Sequence, residues 1–393
     1  MQRRSVELAE VIRDAGPTFT FRNHPWLTWL HLKVLVAILR CRTALLGGHV
    51  DACSRCGHQA ISYNSCRNRH CPRCQTHARD RWIEARSRDL LPTAYAHVVF
   101  TIDHALARLA LQNKADVYSL LMRASAETSL TVAADPQHLG AEIGFFRVLH
   151  TWNQQLQHHP HVHGVVPAGG LALDHTHWIH SSPRFFLPVK VLARVFRGKF
   201  VEGLRGLYAD RRLRWEGVLA PLQNPHTFAE WMRTVHQKDW VVYAKRPFGG
   251  AEHVVHYLGR YTHRVAISSH RLVSLEDHRV TFRWRDSRHG NKQRLMTLGV
   301  HEFLRRFLLH VLPIGFVRIR YFGLLAHRRR KEGMPLCLEL LAASLPPPSP
   351  TVSEAPDRPM WTCPICGGPM AVIERLTPRQ LRLRAPPAKA CCP

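Results

Sequence analysis

The chain is poor in acidic residues and has no long, uninterrupted apolar run. Only 28 of its 393 residues are Asp or Glu, against 55 Lys or Arg. Its most apolar N-terminal stretch, residues 26–46, is broken by His31, Lys33, Arg40 and Arg42, which is typical of a buried helix and argues against a membrane span. The first residues lack the apolar core of a secretory signal, and no repeat of fixed period occurs. We therefore expect a cytoplasmic protein with no membrane partner.

The dominant positive feature is charge. The formal net charge is +27, and the sequence pI is about 10.6. A surplus of this size attracts polyanions, of which nucleic acid is the commonest. An anionic membrane surface or a ribosomal type of structural role is the alternative. Because 45% of the residues are hydrophobic, the chain can build a real core, and its length suggests two or three domains.

Six of the eleven cysteines form three CxxC pairs, a spacing typical of metal binding. Cys53 and Cys56 form one CxxC pair, and Cys71 and Cys74 form another after fourteen residues. Two such turns can present four thiolates to one tetrahedral Zn²⁺, which would be structural because no coordination position stays open. Cys66 and His70 lie between the pairs and could replace a ligand. The neighbouring arginines predict a DNA-facing surface on this module: Arg55, Arg67, Arg69 and Arg73.

A further pair, Cys363 and Cys366, lies near the end of the chain. The remaining thiols available to complete this half-site are Cys391 and Cys392, which are adjacent and chelate one ion less readily than a spaced pair. The sequence leaves two possibilities open, a second zinc site and a partly ordered tail.

A histidine pair gives the first candidate for chemistry. His161 and His163 flank Val162 in a run with strand character, so both imidazoles point to the same side of the strand. Two imidazoles can bind one divalent cation and leave positions open for water and a phosphate oxygen. Such a pair alone is weak evidence in a chain with 28 histidines. Mg²⁺ and Mn²⁺ are both compatible with phosphate chemistry.

A tyrosine pair follows on a basic segment. Tyr257 and Tyr261 are four residues apart, which places both phenols on one face of a helix. Aromatic pairs at this spacing usually belong to the apolar face that a helix packs against the core. Here Gly259 and the cations Arg260 and Arg264 argue against simple burial, and nearby positive charge favours the phenolate.

The spacing of the apolar residues and the positions of glycine and proline predict an α+β fold. Strands are expected at residues 97–102, 161–167, 240–245 and 316–321, a hairpin turning at Asp277 and His278, and helices at 3–14, 26–46, 104–134, 184–208, 251–264 and 301–311. The predicted domains are N-terminal helices (1–49), a zinc-binding domain (50–95), a domain of alternating strands and helices (96–270), an accessory α/β region (271–343), a proline-rich linker (344–360) and a C-terminal CxxC tail (361–393).

Taken together, these motifs resemble the bacterial rolling-circle transposases of the HUH superfamily, two-tyrosine type (the IS91 group). The residues that carry the resemblance span roughly 20–330 and include NSCRNRHCPRCQ (64–75), LHTWNQQLQHHPHVHGVVPAGGL (149–171) and HYLGRYTHRVAIS (256–268). The segment from about residue 340 onward is not covered.

The resemblance implies specific roles. His161 and His163 would bind the catalytic Mg²⁺ or Mn²⁺, Tyr257 and Tyr261 would be the nucleophiles, and Gln154 is our candidate for a third metal ligand. The implied fold is the HUH endonuclease fold, a central antiparallel sheet with flanking helices, with the histidine pair on a middle strand and the tyrosine helix beside it. The implied partner is single-stranded DNA or a DNA hairpin at the ends of an insertion sequence.

The sequence leaves three other functions open. A plasmid or phage replication initiator would use the same chemistry. A zinc protein that only binds nucleic acid would show no metal-dependent nicking and would be indifferent to Tyr257→Phe. A zinc-dependent hydrolase would need three protein ligands and an open position, and would form no covalent DNA intermediate.

Overall fold

A computed structural model describes residues 6–87, 90–248, 266–286, 289–342 and 362–384. In chain order its helices are α1 (Leu8–Asn23), α2 (Trp29–Arg40), α3 (Pro72–Ser87), α4 (Ala107–Gln112), α5 (Lys114–Ala134), α6 (Val189–Ala209), α7 (Pro225–Gln237), α8 (Val300–Leu309), α9 (Arg330–Ala342) and α10 (Pro378–Arg384). Helix α1 is kinked at Gly16, which precedes Pro17 and has a positive φ of 59°.

The strands are β1 (Gly48–Cys53), β2 (Gln59–Tyr63), β3 (Tyr95–Thr101), β4 (Ala141–Glu142), β5 (Gly144–Trp152), β6 (His158–Pro167), β7 (Gly169–Ala172), β8 (Trp178–His180), β9 (Val242–Phe248), β10 (Leu272–Glu276), β11 (Arg279–Asp286), β12 (Lys292–Gly299), β13 (Ile319–Gly323) and β14 (Met370–Leu376). The predicted α+β class is confirmed.

A five-stranded sheet forms the centre of the molecule. Its order is β13-β5-β6-β3-β9, and every neighbouring pair is antiparallel. Strand β6, which carries the predicted histidine pair, is the middle strand. Strand β13 comes from the region that the sequence assigned to a separate accessory domain, so the predicted boundary at residue 270 does not separate two folding units.

The two faces of this sheet differ because side chains alternate along each strand. One face is apolar and packs against α5 and α6, where Phe100 contacts Phe196 with ring centroids 5.0 Å apart. The other face carries polar side chains that belong to three adjacent strands: His97 on β3, His150 on β5, and His161 and His163 on β6. One sheet therefore uses one face for stability and presents imidazoles on the other.

A second core joins the N-terminal helices to the C-terminal half of the chain. Helices α1 and α2 pack with α8 and with a small sheet of order β10-β11-β12, which we call the arm sheet. Phe282 on β11 contacts Phe303 on α8, with ring centroids 5.8 Å apart. The predicted hairpin turn is confirmed, since Asp277 and His278 connect β10 to β11 with φ values of 49° and 55°.

A third sheet, of order β14-β1-β2, contains strands from both ends of the chain. β1 pairs antiparallel with β2 and also with β14. The C-terminal segment 362–384 is thus an integral part of the zinc-binding region and not a separate tail. Among the helices that the structure describes, none is both long and apolar enough to cross a bilayer.

Candidate metal and DNA site

The antiparallel pairing of β5 with β6 brings three histidines together. His150 lies directly opposite His161 in the register, and His163 follows two residues later on the same face. One nitrogen from each imidazole lies within 4.8 Å of the others, an arrangement that can hold a metal ion. We call His150, His161 and His163 the histidine trio. His150 was not among the residues predicted from the sequence.

Hydrogen bonds fix the orientation of two members of the trio. Nδ1 of His161 lies 2.7 Å from the carbonyl oxygen of His159, and Nδ1 of His163 lies 2.9 Å from Nε2 of His97. In each ring this contact engages Nδ1, so Nε2 is the nitrogen through which the ring would bind a metal ion. A partner of this kind sets the tautomer and orientation of a ligating imidazole.

Burial keeps two members of the trio, His161 and His163, in the form that metal ions require. Desolvation lowers the pKa of His161 to about 4 and lowers the pKa of His163 well below its usual value. The neighbouring imidazoles lower the pKa of His163 further, because two charged rings would repel each other. Neutral imidazoles are the metal-binding species, so the rings of His161 and His163 are in the metal-binding form at neutral pH.

The trio lines a cavity of about 770 Å³ that we call the histidine cavity. The turn between β5 and β6 forms a second side and includes Gln154. The arm sheet and its preceding segment form a third side, with Arg271, Trp284 and Arg285. Gln154 therefore lines the predicted site, and its role as a ligand stays a prediction.

A buried arginine lies behind the trio, on the opposite face of the sheet. Arg147 is fully buried, its guanidinium lies over the rings of Phe100 and Phe145 at 4.5 and 4.7 Å, and its Nη2 donates to the carbonyl of Ser125 at 3.1 Å. It lies opposite Gly164, where a Cβ would come within 2.0 Å of Arg147 Nη1. The glycine that follows the histidine pair is thus required by the arginine beneath it.

The cysteines form two clusters, and their partners differ from the predicted ones. Cys71 and Cys74 lie with Cys41 and Cys66, which we call the inner cluster, whereas Cys53 and Cys56 lie with Cys363 and Cys366, which we call the outer cluster. The prediction that Cys53, Cys56, Cys71 and Cys74 share one zinc ion is wrong in its pairing. The physical reason is the β1–β2 hairpin, which places Cys53 at its tip and Cys66 beyond its open end. Five residues of strand separate the two ends of the hairpin, a length of about 17 Å, so Cys53 and Cys66 cannot share one ion.

Both clusters have the spacing of a tetrahedral thiolate site. In the inner cluster, the Sγ of Cys74 lies 3.5 Å from those of Cys41 and Cys66. In the outer cluster, the Cys53–Cys366 and Cys56–Cys363 distances are 3.5 and 3.6 Å. Four sulfurs at about 2.3 Å from a zinc ion would be about 3.8 Å apart, whereas a disulfide would need about 2.05 Å. The donor sets fit zinc.

Other predicted residues near the clusters have structural partners. His70, a possible substitute ligand, is buried and accepts a hydrogen bond from the Leu312 backbone at 3.2 Å. Arg69 donates to the carbonyls of Phe316 and Pro313, and Arg73 donates to Glu7. These three side chains connect elements of the protein. Arg55 and Arg67 are exposed, and the DNA contacts predicted for all four arginines stay predictions.

Six predicted residues lie outside the described residues: Tyr257, Arg260, Tyr261 and Arg264 in segment 249–265, and Cys391 and Cys392 near the C-terminus. In the sequence, Cys391 and Cys392 were the thiols available to complete a possible second zinc site with Cys363 and Cys366. The structure instead groups Cys363 and Cys366 with Cys53 and Cys56.

Comparisons with known proteins agree with the geometry. A family model described as "Transposase zinc-binding domain" matches residues 11–102, and one described as "Putative transposase" matches residues 144–332. A Sinorhizobium fredii protein titled "Putative transposase y4qJ" is 51% identical over 384 residues, which cover 95% of this chain and 96% of that protein. A Pseudomonas savastanoi pv. phaseolicola protein, the transposase for insertion sequence element IS801, is 28% identical over 371 residues, 91% of this chain and 87% of its own length. No solved structure gives a significant match.

Proposed function

Because the chain belongs to the IS91 family of transposases and carries that family's zinc-binding domain, we propose that it nicks and rejoins single-stranded DNA at the ends of an insertion sequence. The observation that carries this proposal is the histidine trio, which faces an open cavity lined by arginine and tryptophan. The reaction class is phosphoryl transfer through a 5′-phosphotyrosine.

The trio would hold the catalytic cation, Mg²⁺ or Mn²⁺, with Gln154 as a neighbouring oxygen donor. Three imidazoles favour Mn²⁺ over Mg²⁺, since nitrogen ligands suit the softer of the two ions. When bound, such a cation would neutralise charge on the oxygens of the scissile phosphate. His97 and the carbonyl of His159 keep the ligating rings in position.

Tyr257 and Tyr261 are the proposed nucleophiles. The phenol oxygen of one attacks the phosphorus, the phenol loses its proton, and the bond from phosphorus to the 3′ oxygen breaks, so that a 5′-phosphotyrosine and a free 3′-OH result. A 3′-OH attacking that ester reverses the step and joins strands, without a nucleotide cofactor. Ala266, which lines the cavity, follows Tyr261 by five residues, whose full reach is about 18 Å.

The arm sheet offers a surface for the DNA beside the cavity. Arg279, Arg283 and Arg285 alternate with buried residues along β11 and are exposed on one face. Phosphate contacts of this type give affinity and register. Trp284 and Arg285 also line the cavity, so a strand bound along the arm would lead to the trio.

A nicking assay tests the function. The purified chain, incubated with a single-stranded oligonucleotide of the element end and Mn²⁺, should cut it at one position. His150→Ala, His161→Ala and His163→Ala should each reduce cutting by at least 100-fold, since each removes a metal ligand. Exposed His180→Ala on β8 is the control and should cut normally.

Two results would contradict the proposal. Salt-sensitive DNA binding without metal-dependent cutting would leave a zinc protein that only binds nucleic acid. Cutting with no covalent intermediate would indicate a hydrolase.

A further inference from the structure

The outer cluster joins cysteines from the two ends of the chain. Cys53 is 313 residues from Cys366, and Cys56 is 307 residues from Cys363. The matched zinc-binding domain ends at residue 102, so half of this cluster lies outside it. The donor set is four sulfurs, all within 4.8 Å of one another.

The two halves of the outer cluster have the same backbone structure. Each is a CxxCG turn, Cys-Ser-Arg-Cys-Gly at 53–57 and Cys-Pro-Ile-Cys-Gly at 363–367. In the first, the Gly57 N–H donates to the Cys53 carbonyl at 3.0 Å; in the second, the Gly367 N–H donates to the Cys363 carbonyl at 2.9 Å. Both glycines have a positive φ, 72° and 68°, which explains why glycine follows each pair.

The sulfur atoms of the two turns also receive equivalent hydrogen bonds. The Arg55 N–H lies 3.4 Å from the Cys53 Sγ, and the Ile365 N–H lies 3.4 Å from the Cys363 Sγ. Backbone donors aimed at sulfur stabilise the thiolate, which is the metal-binding species. The two turns have the same internal hydrogen bonds and face each other across the four sulfur atoms. This arrangement is that of a metal-binding site.

Each turn continues into a strand of the same sheet. Cys53 ends β1 and lies opposite Met370, the first residue of β14. Ser54 N–H and Oγ both contact the carbonyl of Pro369, at 3.2 and 3.3 Å. Behind the strands, Val50, Leu376 and Leu381 form a small apolar cluster. This cluster of three is too small to hold a strand in place alone, which gives a metal ion at the turn a structural purpose.

We propose that Cys53, Cys56, Cys363 and Cys366 bind a second structural zinc ion, which fastens the C-terminal segment 362–384 to the zinc-binding domain. Four thiolates leave no open position, so this ion takes no part in DNA chemistry. The site forms only after the chain has been made as far as Cys366, because its two halves are more than 300 residues apart. This proposal is independent of the tyrosine chemistry and goes beyond the proposed function.

Zinc content of the purified full-length chain tests the proposal. Relative to the parent chain, Cys363→Ser/Cys366→Ser should lose one equivalent of zinc, measured by mass spectrometry of the metal. Cys53→Ser/Cys56→Ser should lose the same equivalent, and the quadruple variant should lose no more than either double variant. Retention of the inner zinc in these variants shows that the domain is still folded.

Two controls sharpen the result. Cys391→Ser/Cys392→Ser should lose no zinc, and neither should Cys337→Ser, which removes a buried cysteine outside both clusters. Limited proteolysis should release the C-terminal segment faster from Cys363→Ser/Cys366→Ser than from the parent. Full zinc content in that variant, loss of zinc from Cys391→Ser/Cys392→Ser, or disulfides in place of the metal would overturn the proposal.

Discussion

His163 depends on a residue that does not face the cavity. His97 is buried on β3 and meets Nδ1 of His163 through its own Nε2, with the two rings nearly parallel at 8°. The bond engages Nδ1 of His163 and so sets the orientation of the ring. A partner behind a metal ligand commonly contributes 10–100-fold to metal affinity.

We therefore expect His97→Phe to weaken Mn²⁺ binding at the trio about 10–100-fold while the fold is kept, because phenylalanine fills the space but cannot hold the His163 ring. Calorimetric titration with Mn²⁺ measures the change, with His180→Ala as a matched control. Equal affinity of His97→Phe and the parent would show that His163 does not need this partner.

Gly164 and Arg147 form a pair across two strands. In Gly164→Ala the new Cβ meets Arg147 Nη1 and must displace a buried guanidinium enclosed by two phenyl rings. Overpacking of this kind costs about 1–3 kcal/mol of unfolding free energy. Gly198→Ala on α6 has no atom within 4 Å of its Cβ and should instead gain about 0.5–1 kcal/mol as a helical glycine replaced by alanine.

A double-mutant cycle separates this contact from other effects. In an Arg147→Met background the cost of Gly164→Ala should largely disappear, because the flexible methionine leaves room for a methyl group. Chemical denaturation of the four proteins gives the coupling energy. If Gly164→Ala lowered the unfolding free energy by the same amount in both backgrounds, its effect would not come from contact with Arg147.

At the scale of elements, the turn between β5 and β6 determines how the two strands pair, and therefore how the three histidines of the trio come together. Leu156 in this turn is fully buried and has a φ of 61°, a region that side chains rarely adopt. Two side chains from α8 and its C-terminal end contact the carbonyls of this turn. Arg306 donates to the carbonyl of Gln155 at 3.1 Å, and Nε2 of His310 lies 3.1 Å from the carbonyl oxygen of Leu156. Burial of the leucine compensates for its backbone strain.

This strain predicts an unusual order of stabilities. Leu156→Ala and Leu156→Gly both lose the buried side chain and should both be destabilised by about 2–5 kcal/mol. The glycine variant should be the more stable of the two by about 1 kcal/mol, the reverse of the usual order, because glycine adopts positive φ without a Cβ clash. Thermal unfolding of the two variants measures this order. A Leu156→Gly variant less stable than Leu156→Ala would show that the backbone at residue 156 is not strained.

The sequence predicted some elements well and others not at all. The β10–β11 turn and strands β3 and β6 follow from local patterns, and the structure confirms them. Strand β5 was not predicted, because Arg147 and His150 interrupt its apolar run and their burial depends on partners elsewhere. His150 was missed for the same reason. If residues 144–152 and 158–167 had been recognised as a hairpin, His150 would have been placed opposite His161.

At the scale of the whole molecule, the partners of the cysteines could not be read from the sequence. CxxC spacing predicts that a pair binds metal, but which pairs meet depends on the strands that carry them. Cys41, at the end of α2, has no neighbouring cysteine to draw attention to it. The outer cluster depends on the pairing of β1 with β14, from opposite ends of the chain.

The family, its zinc-binding domain and the antiparallel sheet with a histidine strand at its centre follow from the sequence and agree with the structure and the comparisons. The central claim that remains to be tested is that a tyrosine from segment 249–265 attacks a phosphate held at the trio.

Peptide mapping of the protein–DNA adduct by mass spectrometry tests this claim most directly. With single-stranded element-end DNA and Mn²⁺, the account predicts nucleotide mass on Tyr257 or Tyr261, no adduct in Tyr257→Phe/Tyr261→Phe, and an unchanged adduct in Tyr63→Phe, an exposed tyrosine on β2. Nucleotide mass on any other residue, or an adduct that survives in Tyr257→Phe/Tyr261→Phe, would contradict it.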